Sequence, residues 1–165
     1  MSGVPADDSV NAERYRVAYD EGLRALERQE KTLDEFRARV SATITTTVIA
    51  TAFFGTITMR SGWPLNDPEW AALALFVVGL IAQIFLLVPL GGWRFRRSAK
   101  NIIDNYVEGD DPASLSEMYK VLAEYLDDDF TGNEGRLSWM WWLFSGTCLC
   151  LAAEIIMWLL AIVIH

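Results

Sequence analysis

Three stretches of the sequence, Val40 to Met59, Trp70 to Trp93 and Leu137 to His165, hold one acidic or basic side chain between them, Glu154 (His165 counted as neutral). A bilayer core of about 30 Å takes roughly 20 apolar residues in a helix, and each stretch has that length. The expected fold is therefore an all-α membrane protein with three transmembrane helices, at about 40–59, 70–93 and 138–162. The opening residues, "MSGVPADDSVNAERYR", are polar and acidic. A cleavable signal has a basic start and an apolar core, so the first span is expected to be an uncleaved anchor.

Lysine and arginine near the spans set the orientation. Lys31, Arg37 and Arg39 precede the first span, and Arg94, Arg96, Arg97 and Lys100 follow the second. The short connection "RSGWPLNDPEW" carries only Arg60. The positive-inside rule then places the N-terminus and residues 94–137 in the cytoplasm, with the 61–69 turn and the C-terminus outside.

Residues 1–10 are expected to be disordered, and 11–165 to form a single helical membrane domain. From about Asn11 to Arg39, Tyr15, Tyr19, Leu23, Leu26, Leu33, Phe36 and Val40 recur at helical spacing. The residues between them are mixed in charge, which predicts an amphipathic helix. Only Gly22 interrupts its composition, so it should run unbroken into the first span. Its apolar stripe needs a cover, either the 94–137 segment or another subunit, and a homo-oligomer is the expectation.

Polar residues inside the spans are the marked positions. Thr43, Thr47, Thr51 and Gly55 lie four apart in the first span, with Thr58 near the same line. Small residues so spaced let helices approach closely, and threonine hydroxyls can bond across them. The stripe either packs against the other spans or lines a polar path. Thr45 and Thr46, off the stripe, can return their hydroxyls to the preceding turn. Gln83 lies in mid-span and needs a hydrogen-bond partner there. Trp139, Trp141 and Trp142 mark one interface of the third span and Trp158 the other, which puts Glu154 about one turn inside. Its partner should be Arg60, Thr56 or Thr51. Glu154 is either structural, in a pair or as a protonated hydrogen-bonded acid, or it is a gate or pore-lining charge.

Between Asn101 and Leu137 ten acids face only Lys120 and Arg136. A short helix over "AKNIIDNYVEG" is expected, then a turn at "GDDPAS". A second helix starts from a Ser114–Glu117 capping box, and "TGNEG" should weaken it near Thr131. The triplet Asp127–Asp129 lacks the spacing of a calcium loop and reads as a solvated face. Cys148 and Cys150, two apart on a helix, point to nearly opposite sides and cannot bridge. The lone histidine is the last residue. No catalytic arrangement, metal cluster or phosphate-cradling loop can be assembled, so the expectation is a non-enzyme without cofactor or metal. The acidic balance also speaks against nucleic acid. Arg94, Arg96, Arg97 and Lys100 serve topology and lipid headgroups, or else form an anion site for a nucleotide phosphate with Arg37 or Arg39.

The order of parts resembles a known family. "EGLRALERQEKTLDEFRARVSATI" enters a first span. A short turn, a second span and "WRFRRSAKNIIDNYVEG" follow, then "SLSEMYKVLAEYLDDDFTGNEGRL" and a last span with "AAEIIMWLL". This is similar to the small transmembrane effectors of bacterial antiphage systems built around a pyrimidine cyclase, the Pycsar transmembrane effectors, and to SLATT-type membrane effectors. The resemblance spans nearly the whole chain, but its motifs are diffuse helical patterns, and the strongly acidic segment departs from the better-known members. It implies an antiviral defence effector in the bacterial inner membrane. A cyclic pyrimidine nucleotide from a partner cyclase would trigger it, and it would impair the membrane as an oligomer, causing abortive infection. A constitutive channel or transporter subunit, or an adaptor recruiting a cytoplasmic partner, would use the same features.

Overall fold

A computed structural model describes residues 6–58, 65–88, 92–95 and 113–164. All regular structure among them is helical: α1 (Ala6–Thr58), α2 (Asp67–Leu87) and α3 (Leu115–Ile164). Each is long and apolar enough to cross a membrane. Helix α1 contains no proline, and Gly22 and Gly55 are its only glycines, so nothing in its composition stops it. It opens at Ala6, five residues before the point where the apolar periodicity begins.

Helix α2 starts from a reciprocal cap. The Asn66 side chain accepts from the Glu69 amide at 3.1 Å, and the Asn66 amide donates to Glu69 Oε2 at 2.7 Å. Pro68 sits in the first turn, where its missing N–H costs nothing. Helix α3 starts likewise, with Ser114 N donating to Glu117 Oε2 at 3.1 Å and Glu117 N to Ser114 Oγ at 3.3 Å.

The chain divides into two compact units. The polar unit joins the described residues of Met1–Leu33 to those of Gly91–Arg136. Here Ser116 Oγ donates to Asp8 Oδ1 at 2.5 Å, the rings of Tyr19 and Tyr119 lie 5.8 Å apart, and Gln29 Nε2 donates to the Phe130 carbonyl at 3.1 Å. Residue numbers rise together along both partners, so α1 and α3 run parallel. Ala12, Leu26, Gln29 and Leu33 are buried on α1, and Leu122, Leu126, Asp129 and Asn133 on α3. Alternating steps of three and four are the seam of a left-handed coiled coil. Gly22 serves this seam by absence: a Cβ there would lie 3.0 Å from Leu126 Cδ1. Gly22→Val is expected to cost about 1–3 kcal/mol by overpacking, read from thermal loss of helical circular dichroism. An unchanged transition would show that the helices can separate there.

Two sequence expectations change in the polar unit. The Leu26–Leu33 stripe is covered within the chain, at 3% and 2% exposure, so it is not a surface left for a second copy. Nor does α3 weaken at "TGNEG"; it continues through Gly132 and Gly135. Two helical glycines cost about 1 kcal/mol each. Against that cost stand the long-range bonds of this turn, which hold the carbonyl of Phe130 and both amide atoms of Asn133.

The apolar unit comprises the described residues of Asp34–Leu90 and Leu137–His165. Phe36 packs edge-on against Trp141 and Phe144, with centroids 5.0 and 5.6 Å away. Further along, Thr51 meets Glu154 and Gly55 faces Trp158, so α1 and α3 are again parallel. Helix α2 is antiparallel to α3: Gly79 faces Cys150, while Phe85 lies 6.0 Å from Trp139. Seam positions recur on every helix: Val40, Thr47 and Thr58; Ala72, Gln83 and Leu86; Met140, Thr147, Glu154 and Ala161. The outside is apolar, with Ile49, Phe53, Val78, Ile81, Leu149 and Val163 exposed. An interior that mixes polar with apolar side chains inside an apolar exterior differs from the usual soluble arrangement and suits lipid as the surrounding solvent.

Candidate functional site

Glu154 is the centre of the apolar unit's polar seam, at 1% exposure. Seven-residue steps along α3 from Met140 through Thr147 carry it to the same buried face. The Thr51 hydroxyl pairs with its Oε1, and Trp158 Nε1 donates to the same oxygen over 3.3 Å. Its Oε2 is buried and, among the described residues, without a hydrogen bond. Of the three partners proposed from sequence, Thr51 is the one it meets. Thr56 is exposed and donates to the Ala52 carbonyl at 2.6 Å, and Arg60 lies outside the described residues.

Trp158 faces the other helices and not the surrounding solvent. It is fully buried, one helical turn beyond Glu154, where the missing side chain of Gly55 makes room for its ring. An indole has one donor, and the carboxyl supplies the acceptor that lets it sit inside. Trp139 and Trp142 are the exposed pair, at 50% and 78%. Trp141 turns inward to the Phe36 cluster.

The threonine stripe lies on the buried face, with Thr47 at 2% exposure and Thr58 at 4%. Its hydroxyls mostly stay local: Thr43 donates to the Arg39 carbonyl and Thr47 to the Thr43 carbonyl, each at 2.9 Å. Off the stripe, Thr45 and Thr46 do the same with Ser41 and Ala42, at 3.2 and 3.0 Å. Only Thr51 also reaches across to another helix among these five. Gln83 is fully buried, and among the described residues neither its Nε2 nor its Oε1 has a hydrogen-bond partner, contrary to expectation.

The basic residues divide differently. In the polar unit, residues 92–95 follow α2 in the chain and dock on α3. The Asn133 side chain clamps the Arg94 backbone from both sides, accepting from its amide at 3.3 Å and donating to its carbonyl at 3.2 Å. The Arg136 guanidinium donates to the Gly92 carbonyl. The Arg94 guanidinium lies 3.6 Å from Asp129, whose side chain is only 4% exposed. Asp129 therefore does not belong to a solvated acidic face, although Asp127 and Asp128 do. In the apolar unit, Arg37 pairs with Asp34 at 3.7 Å, and Arg39 lies 5.7 Å from the centroid of the Trp141 ring, a cation–π contact. Arg96, Arg97, Lys100 and the "AKNIIDNYVEG" segment lie outside the described residues.

Gly92 has φ +108°, a backbone conformation that suits glycine, and a Cβ there would stand 2.7 Å from Arg136 Nη2. Gly92→Ala is expected to cost about 1–2 kcal/mol, mostly in backbone strain, because the flexible guanidinium can shift. Hydrogen exchange at the Arg94 amide should speed up by roughly the matching factor of 5 to 30. Unchanged protection would mean that the docked segment does not depend on this turn.

Among the described residues no three His, Cys, Asp or Glu side chains gather as metal ligands, and Cys148 and Cys150 are free thiols. Fold and site together define an all-helical chain with three helices able to cross a membrane and a polar seam through its apolar unit. Comparison with protein-family models, curated proteins and solved structures finds no match.

Proposed function

We propose that this chain is a signal-gated membrane effector of bacterial antiphage defence. In this reading it rests closed in the inner membrane as a multi-pass protein, with the N-terminus and residues 94–137 cytoplasmic and the C-terminus outside. A cyclic nucleotide from a partner cyclase, of the pyrimidine class that the family resemblance implies, opens it. Several copies then impair the membrane and abort the infection. The observation that carries the reading is the seam of the apolar unit: Thr47, Gln83, Thr147 and Glu154 are all buried in a shell of exposed apolar side chains. Such groups are costly in lipid, and intramembrane ionisable residues mark conduction or switching more often than packing.

The anion-binding role falls best on Arg96, Arg97 and Lys100, because Arg94, Arg37 and Arg39 already face Asp129, Asp34 and Trp141. A planar guanidinium grips phosphate bidentately, whereas an ammonium does not. Purified protein in dye-loaded vesicles should leak only when cyclic CMP or cyclic UMP is added. Arg96→Gln with Arg97→Gln should abolish the response while leaving Arg94 against Asp129. Leakage without nucleotide would favour a constitutive channel subunit, and no leakage with or without it would favour an adaptor.

Orientation has its own test, in a background with Cys148 and Cys150 replaced by alanine. A thiol reagent confined to the outside should label Leu65→Cys and His165→Cys but not Asp110→Cys. Outside labelling at 110 would invert the topology and remove the cytoplasmic trigger from this reading.

A further inference from the structure

We propose that Glu154 is an intramembrane proton site, occupied when the apolar unit is closed, and that the proton lies between its carboxyl and the Thr51 hydroxyl. A count of hydrogens around Thr51 favours the acid form. Thr51 Oγ1 stands 2.9 Å from the Thr47 carbonyl and also pairs with Glu154 Oε1. A threonine hydroxyl owns one hydrogen. Facing a carboxylate, it could give a full hydrogen bond to only one of those two oxygens, or share its hydrogen weakly between them. A carboxylic acid resolves the conflict: Glu154 donates to Thr51, and Thr51 donates to the Thr47 carbonyl. Trp158 Nε1 can still donate to the same carboxyl oxygen.

The surroundings agree with a neutral acid. Helix α1 presents Thr47, Thr51 and Gly55 to this region, and it has no ionisable residue from Val40 to Thr58. Glu69 is the only charged side chain of α2 beyond Asp67, and it is engaged at the Asn66 cap. On α3 the other titratable groups between Leu137 and Ile164 are the Cys148 and Cys150 thiols. No cation stands against Glu154 among the described residues, and its second oxygen has no donor. A bare carbonyl oxygen is tolerable there, whereas half of a carboxylate charge is not. If the helices part and water reaches Oε1, the hydrogen bound there passes to that water as hydronium, and the carboxylate charge left behind appears inside the seam. The site does not depend on the effector reading, since a transporter subunit could use it equally.

The test is infrared spectroscopy of the resting protein in lipid vesicles at neutral pH. Wild type should show the carbonyl stretch of a protonated carboxylic acid. Incorporation of 13C-glutamate should move that band, and Glu154→Gln should remove it. Thr51→Val, which deletes the acceptor, should shift it to higher frequency. The label needs no variant, so a folding failure cannot hide the result. No such band in wild type, its survival in Glu154→Gln, or indifference to Thr51→Val would each overturn the proposal. The band present, with no nucleotide-triggered leakage, would leave the proton site standing and remove the effector reading.

Discussion

Leu26→Asp combined with Leu33→Asp is expected to unfold the polar unit outright. Both leucines are buried in the coiled-coil seam of α1 and α3, at 3% and 2% exposure. Truncating a buried leucine costs about 2–5 kcal/mol in packing alone, before any charge is counted. An isolated carboxylate in that seam adds several kcal/mol more unless it takes up a proton. Together the two changes reach the about 5–15 kcal/mol that stabilises a typical domain. Limited proteolysis should therefore cut α1 within residues 10–33 in the double variant and leave wild type intact there. Leu23→Asp is the control, because Leu23 is 36% exposed and off the seam. If the double variant resists proteolysis and merely changes from oligomer to monomer, the stripe is an intersubunit surface after all, and the intrachain pairing described above is wrong.

Much of the helical architecture could be read from residue order because its determinants are local. Helix α1 is continuous since nothing between Ala6 and Thr58 breaks it, and the Ser114–Glu117 cap uses residues three apart. An equally local signal was available at Asn66–Glu69 and places the start of α2 at Asp67, before the first wholly uncharged residue of the span. What residue order hides is who meets whom. Gly132 and Gly135 read as a break because the bonds that hold this turn come from Gln29 and from the Arg94 backbone, 39 or more residues away.

Polar residues at seam positions were misjudged for a related reason. Gln29, Asp129 and Asn133 fall on the three-and-four spacing of their helices, yet the Asp127–Asp129 triplet was read as a solvated face and the other two were not marked. Spacing was the better guide, since a polar side chain inside a coiled coil is a known device for fixing register. Within the apolar unit Glu154 stood out by its charge, and its pairing with Thr51 followed from helical geometry. The place of Trp158 did not. Tryptophan is enriched at membrane interfaces, and only the facing Gly55, on another helix, shows that this indole has room inside.

Trp158→Ala is expected to be the most damaging single truncation in the apolar unit. The side chain is fully buried, and its removal leaves a cavity facing Gly55, which has no side chain to fill it. Tryptophan-to-alanine changes in cores cost about 3–5 kcal/mol. In lipid the water-transfer part of that cost shrinks, because the unfolded reference also sits among hydrocarbon, so the lower half of the range applies. The lost donor to Glu154 adds to it. Trp158→Phe separates the two contributions: most of the volume stays, the N–H goes, and the expected loss is about 1 kcal/mol. Gly55→Ala should be tolerated, since its Cβ would reach the indole at 3.7 Å, an ordinary contact. Gly55→Leu should displace the ring and approach the alanine variant in effect. Unfolding by sodium dodecyl sulfate in mixed micelles measures all four. If Trp158→Ala unfolds no earlier than wild type, the indole does not occupy the seam. Equal losses for Trp158→Phe and Trp158→Ala would show instead that the bond to Glu154, and not the packed ring, holds this end of the unit together.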